Sequence, residues 1–226
     1  LTYKGKRLTS STRVVYSTSD NDYKYTNHDK KTDVYDKDGN WVTSYHPEER
    51  NKSGYFDDFH ALQELYYDAG KGHQLGASVW LTHSKRGLPF LSVDYKDDSD
   101  FKNEQRNNTL RTVLSWDIMK EKTKWAMKAG FSYADIGYEY FTTRQEMKTS
   151  ITSFRSYSNM AFLSAHADWM LSSQFMLMGG LDVYETHVNS HDRSPFHIGK
   201  NFDKGRPEYH ADVQARWRPV EPFSLA

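Results

Sequence analysis

Residues 108–140 read NTLRTVLSWDIMKEKTKWAMKAGFSYADIGYEY, and apolar and polar side chains alternate along them in two runs separated by residues 119–123. In each run one parity holds most of the large apolar side chains, the even positions in the first run and the odd positions in the second: Leu110, Leu114, Trp116, Ile118, Trp125, Met127, Phe131 and Tyr133. A strict period of two indicates β-strands with one apolar and one polar face. Soluble strands usually have about 5–6 residues, whereas strands of a membrane barrel need about 9–11, and these runs have the greater length.

Two other folds compete for this stretch: an α-helix over residues 119–129 and an antiparallel sheet in a soluble protein. A helix would place Asp117 and Glu121 on the face that carries Ile118, and this mixed face argues against it. A soluble sheet is compatible with a single hairpin. The rest of the chain must therefore discriminate between a soluble sheet and a membrane barrel.

The composition narrows the functional classes. Lys and Arg together number 30, as do Asp and Glu, so the formal net charge is zero and gives no electrostatic support for nucleic-acid binding. The mean hydropathy is -0.87. No stretch approaches the roughly 18 apolar residues of a membrane helix, but a transmembrane barrel escapes that test because half of each strand faces a polar lumen. The absence of cysteine excludes a disulfide framework and thiol chemistry.

Further alternating runs predict about eight strands and the start of another. From Tyr55 onward, short turns at residues 68–72, 119–123, 171–173 and 218–222 alternate with long connections at residues 84–107, 141–156 and 185–207. A membrane barrel has short periplasmic turns and long extracellular loops, whereas a soluble sandwich has no reason to sort its loops in this way. The pattern therefore favours an all-β antiparallel transmembrane β-barrel.

Aromatic side chains also cluster beside the short turns, where a barrel carries a ring of interfacial aromatics: Tyr67, Trp116, Trp125, Trp169, Phe175, Trp217 and Phe223. The opposite parity carries charged side chains rather than the large apolar ones that fill a small barrel: Arg111, Asp117, Lys128, Asp182, Asp212 and Arg216. We therefore expect residues 1–226 to be a partial outer-membrane β-barrel domain, an arc of a larger plugged barrel. No plug domain and no signal peptide are recognised in this piece.

Several segments resemble the barrel domain of TonB-dependent receptors of the Bacteroidetes type, notably residues 60–67, 85–89, 111–116 and 215–221. Within that family the likeness is greatest to cobalamin receptors. The resemblance implies a non-enzymatic receptor in the bacterial outer membrane that imports a scarce large ligand, most plausibly cobalamin or another corrinoid. It also implies the partners of such a receptor: the TonB complex acting through a plug, a surface lipoprotein lid, the small-molecule ligand and membrane lipid.

Ligand contacts are expected where strands meet long loops, because loops carry function and because tyrosine and arginine anchor interfaces. The candidate ligand-binding residues are Arg86, Tyr95, Tyr140 and Arg155. A position at the outer aromatic ring, without ligand contact, is the alternative for each.

Groupings that suggest metal binding or catalysis have simpler interpretations. The histidines and Asp192 of residues 187–197 match no known metal-ligand spacing, and a solvated loop is favoured. Calcium could bind the acidic residues 94–100 or residues 36–40, but a solvated loop and a turn are favoured. His166 and Asp168 share a parity and could exchange protons, but no recognisable nucleophile accompanies them. No catalytic residue, metal or cofactor is predicted.

Three functional hypotheses stay open. The first is a TonB-dependent importer, for which a siderophore, haem or an oligosaccharide is the alternative to a corrinoid. The second is a surface adhesin or structural barrel without transport. The third, a barrel enzyme or a soluble β-domain, would need a nucleophile dyad or solubility without detergent.

Overall fold

The computed structural model describes residues 1–51, 54–88, 103–144, 147–194, 200–220 and 223–225. Within these ranges every regular secondary-structure element is a β-strand, as the period-two pattern predicts. The strands are β1 (Thr2–Lys4), β2 (Leu8–Ser19), β3 (Lys24–Thr26), β4 (Thr32–Tyr35), β5 (Trp41–Tyr45), β6 (Glu48–Arg50), β7 (Phe56–Gly70), β8 (His73–Gly87), β9 (Glu104–Met119), β10 (Thr123–Arg144), β11 (Met147–Met170), β12 (Phe175–Asp192), β13 (Phe202–Val220) and β14 (Phe223–Leu225).

Ten strands form one antiparallel sheet in the order β1-β2-β7-β8-β9-β10-β11-β12-β13-β14. Each strand of this sheet follows its neighbour in sequence, except that β2 pairs with β7. Two small ribbons, β3–β6 and β4–β5, occupy the intervening segment. The antiparallel all-β prediction is therefore confirmed, as is the hairpin predicted around Asp38-Gly39-Asn40.

Strand lengths differ from the prediction at the ends away from the short turns. The long connection predicted at residues 141–156 is wrong, because β10 and β11 stay paired as far as Arg144 and Met147. Pairing there depends on backbone hydrogen bonds, which persist where the side chains no longer alternate between apolar and polar. The predicted connections at residues 84–107 and 185–207 are likewise shortened, because β8 ends at Gly87 and β12 ends at Asp192.

Strand register separates the two faces of the sheet. On one face, Ala77, Leu114, Ala129, Leu163 and Val183 form a continuous row across five strands. We call this side the apolar face, and the side that carries Lys128 and Asp182 the polar face. Leu114 is 62% exposed and Leu163 is 64% exposed. Ala167 is the one buried apolar side chain among the described residues, so the apolar face has no cover from that part of the chain.

Rings gather at the short-turn end of the apolar face, as predicted. Trp125 and Trp169 meet edge to face with ring centroids 5.2 Å apart, and Trp116 stacks on His73 at 5.8 Å. A cavity of about 790 Å³, open to the surroundings, lies along the apolar side chains between this end and the middle of the sheet. No helix in the described part of the chain is long and apolar enough to cross a membrane.

The β7–β8 turn depends on glycine. Gly70 and Gly72 have φ values of +79° and +80°, and Lys71 between them has a φ of 55°. This left-handed backbone strongly favours glycine. The amide of Met119 donates a hydrogen bond to the carbonyl of Gly72 at 2.7 Å. The turn is therefore fastened to the neighbouring hairpin through its backbone.

Candidate functional site

Polar and aromatic side chains concentrate at the end of the sheet opposite the short turns, which we call the loop end. On the polar face, Tyr138 and Phe154 stack with centroids 5.3 Å apart and ring planes at 16°. Burial raises the pKa of Tyr138. Register places Arg86 beside Gln105, which in turn lies beside Tyr138. An arginine and two stacked rings therefore share this end of the polar face.

The structure describes three of the four candidate ligand-binding residues and separates them. Arg86 and Tyr140 lie on the polar face, two strands apart, whereas Arg155 lies on the apolar face. Tyr95 lies outside the described residues. Tyr138 was not among the candidates, although it precedes Tyr140 by two residues and so shares its face.

Polar contacts continue along the polar face toward the short turns. The guanidinium of Arg111 lies over the Trp80 ring at 5.3 Å. His166 pairs across strands with Asp182, whose carboxylate oxygen lies 3.1 Å from His166 Nε2, and not with Asp168, the partner that the sequence also allowed. Asp182 comes from the adjacent strand β12, so strand register rather than sequence proximity selects the partner.

On the apolar face, the loop end carries an ion pair on top of two rings. Arg155 donates to both carboxylate oxygens of Asp135 at 2.9 and 2.7 Å. The same guanidinium lies 5.0 Å from the Tyr157 ring, which stacks on Tyr133 at 6.4 Å. The hydrogen bonds from Arg155 lower the pKa of Asp135, and the charge of Arg193 adds to the effect.

A second ionic group surrounds Glu104 on the same face. Tyr55 donates its hydroxyl hydrogen to Glu104 at 2.8 Å, Lys85 approaches the same carboxylate at 2.8 Å, and Arg106 also pairs with it. Burial of Glu104 opposes ionisation, but the donors from Lys85, Tyr55 and Arg106 outweigh it and lower its pKa. Burial and the Glu104 carboxylate raise the pKa of Tyr55 to about 12. Glu104 is therefore a fixed negative charge with bound partners.

Residues 20–51 form an arm between β2 and β7, where the sequence predicted only a polar stretch with one hairpin. At its base Asn27 is buried and donates to Glu49 at 2.9 Å, and Lys30 pairs with Glu49 at 2.9 Å. The hydrogen bonds from Lys30 and Asn27 lower the pKa of the Glu49 carboxyl, and the bond from Lys30 has the larger effect. The β4–β5 hairpin exposes large side chains, including 59% of Trp41. The arm is an ordered, aromatic-rich surface.

A scan against protein-family models finds no match, and a search of curated proteins finds no relative. Solved structures do match. The ferric-catecholate import receptor Fiu of E. coli K12 aligns over 96% of this chain and 43% of its own, with a TM-score of 0.55 and 8% identity. The ferric yersiniabactin uptake receptor FyuA of Yersinia pestis aligns over 95% of this chain and 32% of its own, with a TM-score of 0.44 and 15% identity.

The fold is that of a TonB-dependent receptor barrel. The chain spans 43% of the length of Fiu, in agreement with the predicted arc of a larger receptor barrel. At 8% identity the likeness extends to the fold alone. The Bacteroidetes type and the likeness to cobalamin receptors stay predictions.

No metal-binding group of three ligands occurs among the described residues. His187 pairs with Asp203 at 2.5 Å rather than with its neighbours in sequence. The Asp36 carboxylate accepts hydrogen bonds from the backbone amides of Asp38 and Asn40. The segment that resembles a calcium loop is therefore a turn. His197 and the acidic residues 94–100 lie outside the described residues.

The Asp135–Arg155 pair gives the stability of the sheet a testable pH dependence. A lowered folded-state pKa means that this stabilisation is present above the unfolded pKa of Asp135 and is lost as pH falls through its folded pKa. We expect Asp135→Asn to lower the unfolding free energy at pH 7 by no more than about 1 kcal/mol, because Arg155 is partly exposed. The difference from wild type should vanish on acidification well below about pH 4.

Urea unfolding of the full-length protein at pH 7 and at pH 3 measures this difference. Asp22→Asn removes a pair with Arg50 in which both side chains are more exposed, and we expect a smaller effect from it. A deficit in Asp135→Asn that is equally large at both pH values would contradict the ionic role of Asp135.

Proposed function

We propose that this chain is part of an outer-membrane import receptor of the TonB-dependent kind, without enzymatic activity. The observation that carries the proposal is the uncovered apolar face on the strands of a receptor barrel. In lipid, only a closed barrel satisfies the backbone groups of a sheet, and such a barrel turns its apolar side chains outward. Closing the arc with the rest of a barrel would place the apolar face against lipid and the polar face in the lumen.

The ligand would meet the loop end of the polar face. Arg86 and the stacked rings of Tyr138 and Phe154 suit a large ligand that combines aromatic surface with negative charge. A ferric siderophore has this chemistry, and Fiu, of similar fold, is an importer of ferric catecholates. Resemblance to cobalamin receptors supports a corrinoid instead. Siderophore and corrinoid are therefore the two ligand classes to compare, with haem and oligosaccharides as further alternatives.

Arg86 and Tyr140 are the ligand contacts that we propose first, because both lie on the polar face. Tyr95 and Arg155 are proposed as secondary contacts at the rim. By the same analogy, the TonB complex would act through a plug, and a surface lipoprotein would cover the loop end.

The test is a binding titration of the full-length protein in detergent with cyanocobalamin and with a ferric catecholate, followed by tryptophan fluorescence. We expect saturable binding of one ligand. If the ligand is the anionic catecholate, Arg86→Gln should weaken binding by about tenfold. Arg216→Gln removes the same charge at the opposite end of the polar face and should leave the affinity unchanged. A folded protein that binds neither ligand would contradict both assignments.

A further inference from the structure

A small polar cavity of about 260 Å³ lies at the loop end of the apolar face. Gly137 forms its floor, since a Cβ atom built there meets nothing within 4 Å. Register places Arg106 of β9 and Arg155 of β11 directly beside Gly137, one on each side. Arg193, just beyond β12, lines the same cavity. We call Arg106, Arg155 and Arg193 around Gly137 the arginine cradle.

Backbone contacts hold Arg193 at this place. Its amide donates to the carbonyl of Ser153 at 2.7 Å. The next residue, Ser194, is 2% exposed. Its hydroxyl oxygen accepts a hydrogen bond from the Ser153 amide at 2.9 Å. Among the described residues, no side-chain hydrogen bond or ion pair involves the Arg193 guanidinium. A fixed backbone therefore presents a cation whose charge acts on Asp135 and whose N–H donors have no partner in the described part of the chain.

The remaining charges orient the other two arginines. Asp135 accepts hydrogen bonds from two of the five N–H groups of Arg155. Glu104 forms ion pairs with both Arg106 and Lys85. The residues that line the cavity carry three guanidinium groups and three carboxylates, so their formal charges balance: Arg106, Arg155 and Arg193 against Glu104, Asp135 and Glu139. Lys85 lies outside the lining and adds a positive charge beside Glu104. The cradle therefore offers preorganised N–H donors next to one further cation.

The cradle lies directly beyond the level where the apolar rows end. Tyr133 and Tyr157 stack immediately below it, on the side of Leu163 and the other apolar side chains. In a barrel this level corresponds to the interface between hydrocarbon and headgroups. Basic clusters at that depth attract the phosphates of anionic lipids.

We propose that the arginine cradle binds a phosphate group, carried by a lipid headgroup or present as soluble phosphate. Guanidinium groups match phosphate oxygens in a planar, two-point geometry. Gly137 lets the anion approach the strand because no side chain stands between the flanking arginines. The cavity shares Arg155 with the proposed import site, and Tyr138 and Phe154 also line it, but Arg193 and Gly137 belong to the cradle alone and its phosphate chemistry does not depend on transport.

The experiment titrates inorganic phosphate into the full-length protein in a phosphate-free, nonionic detergent. We expect Arg193→Gln and Gly137→Val to weaken phosphate binding by about tenfold each, the first by removing the Arg193 guanidinium and the second by filling the floor. Gly137→Val keeps every charge, and the open space at Gly137 permits the new side chain. Arg206→Gln is the control, because it removes an arginine that lies on the polar face and pairs with Glu208.

A second measurement identifies the source of the phosphate. The same proteins are purified from vesicles of phosphatidylethanolamine and phosphatidylglycerol, and retained lipid phosphorus is counted. A fall in both variants supports the site and assigns it to a lipid headgroup. Weakened inorganic phosphate binding with unchanged lipid supports the site and assigns it to soluble phosphate. If neither measurement separates the two variants from wild type, the proposal is overturned, whatever the fluorescence titration shows about import.

Discussion

Replacing Gly72 by alanine is expected to lower the free energy of unfolding by about 2–4 kcal/mol, or to prevent folding altogether. A Cβ atom on Gly72 would lie 1.9 Å from the carbonyl oxygen of Met119. That oxygen belongs to a backbone fastened to the turn by the Met119–Gly72 hydrogen bond, so it has little freedom to withdraw. Urea unfolding of the full-length protein in detergent measures the loss.

Gly70→Ala is the matched control. Gly70 shares the left-handed backbone, with φ of +79°, but nothing lies within 4 Å of the position that a Cβ atom would take there. Alanine at this position should cost only the conformational penalty of about 1–2 kcal/mol. Equal losses at the two glycines would show that the contact with Met119 does not matter.

Replacing Leu163 by arginine is expected to lower stability in a lipid bilayer by about 2–4 kcal/mol. Leu163 lies in the middle of the apolar rows and is largely exposed. If lipid covers this face, the substitution puts a charge near the centre of the hydrocarbon. Refolding the full-length protein into phospholipid vesicles at graded urea concentrations gives the difference from wild type.

Met178→Arg provides the comparison on the other face. Met178 lies on the polar face, nearer to the short turns than Leu163, and is flanked in register by Asp168 and Gln214, which can accommodate a cation. We expect a small effect from this variant in the same vesicles. Comparable losses from both substitutions would mean that the two faces do not differ in lipid exposure, against the proposed orientation.

Much of the sheet follows from side-chain periodicity. The runs through Leu114 and Met127 fix the strands, their faces and the intervening turn, because a buried or lipid-covered face requires alternation. Asp38-Gly39-Asn40 specifies its hairpin through local turn chemistry, with Gly39 at φ of +83°. The extension of β10 and β11 could not be foreseen, because polar side chains occur on both parities there and backbone pairing leaves no signature in composition.

The site was less accessible to sequence reasoning, because its contacts depend on register between distant residues. Asp135 and Arg155 are separated by 20 residues, and their pairing requires the full alignment of β10 with β11. The arginine cradle needs a third and a fourth strand in register. Arg86 and Tyr140 could be selected from the sequence as residues near loops. The face on which each lies follows only from the structure, in which β8 and β10 continue without a break as far as these residues.

The order of strands has a consequence for how the sheet is assembled. Apart from the β2–β7 pair, every pairing joins elements adjacent in sequence, so the loops to be closed are short and their entropic cost is low. Growth can proceed one hairpin at a time, and the open sheet then has two unpaired edges: the outer edge of β1 stays in place while the other edge moves along the chain. Bare edges of this kind promote aggregation. An assembly factor would therefore have to shield one fixed edge and one moving edge until the arc is closed.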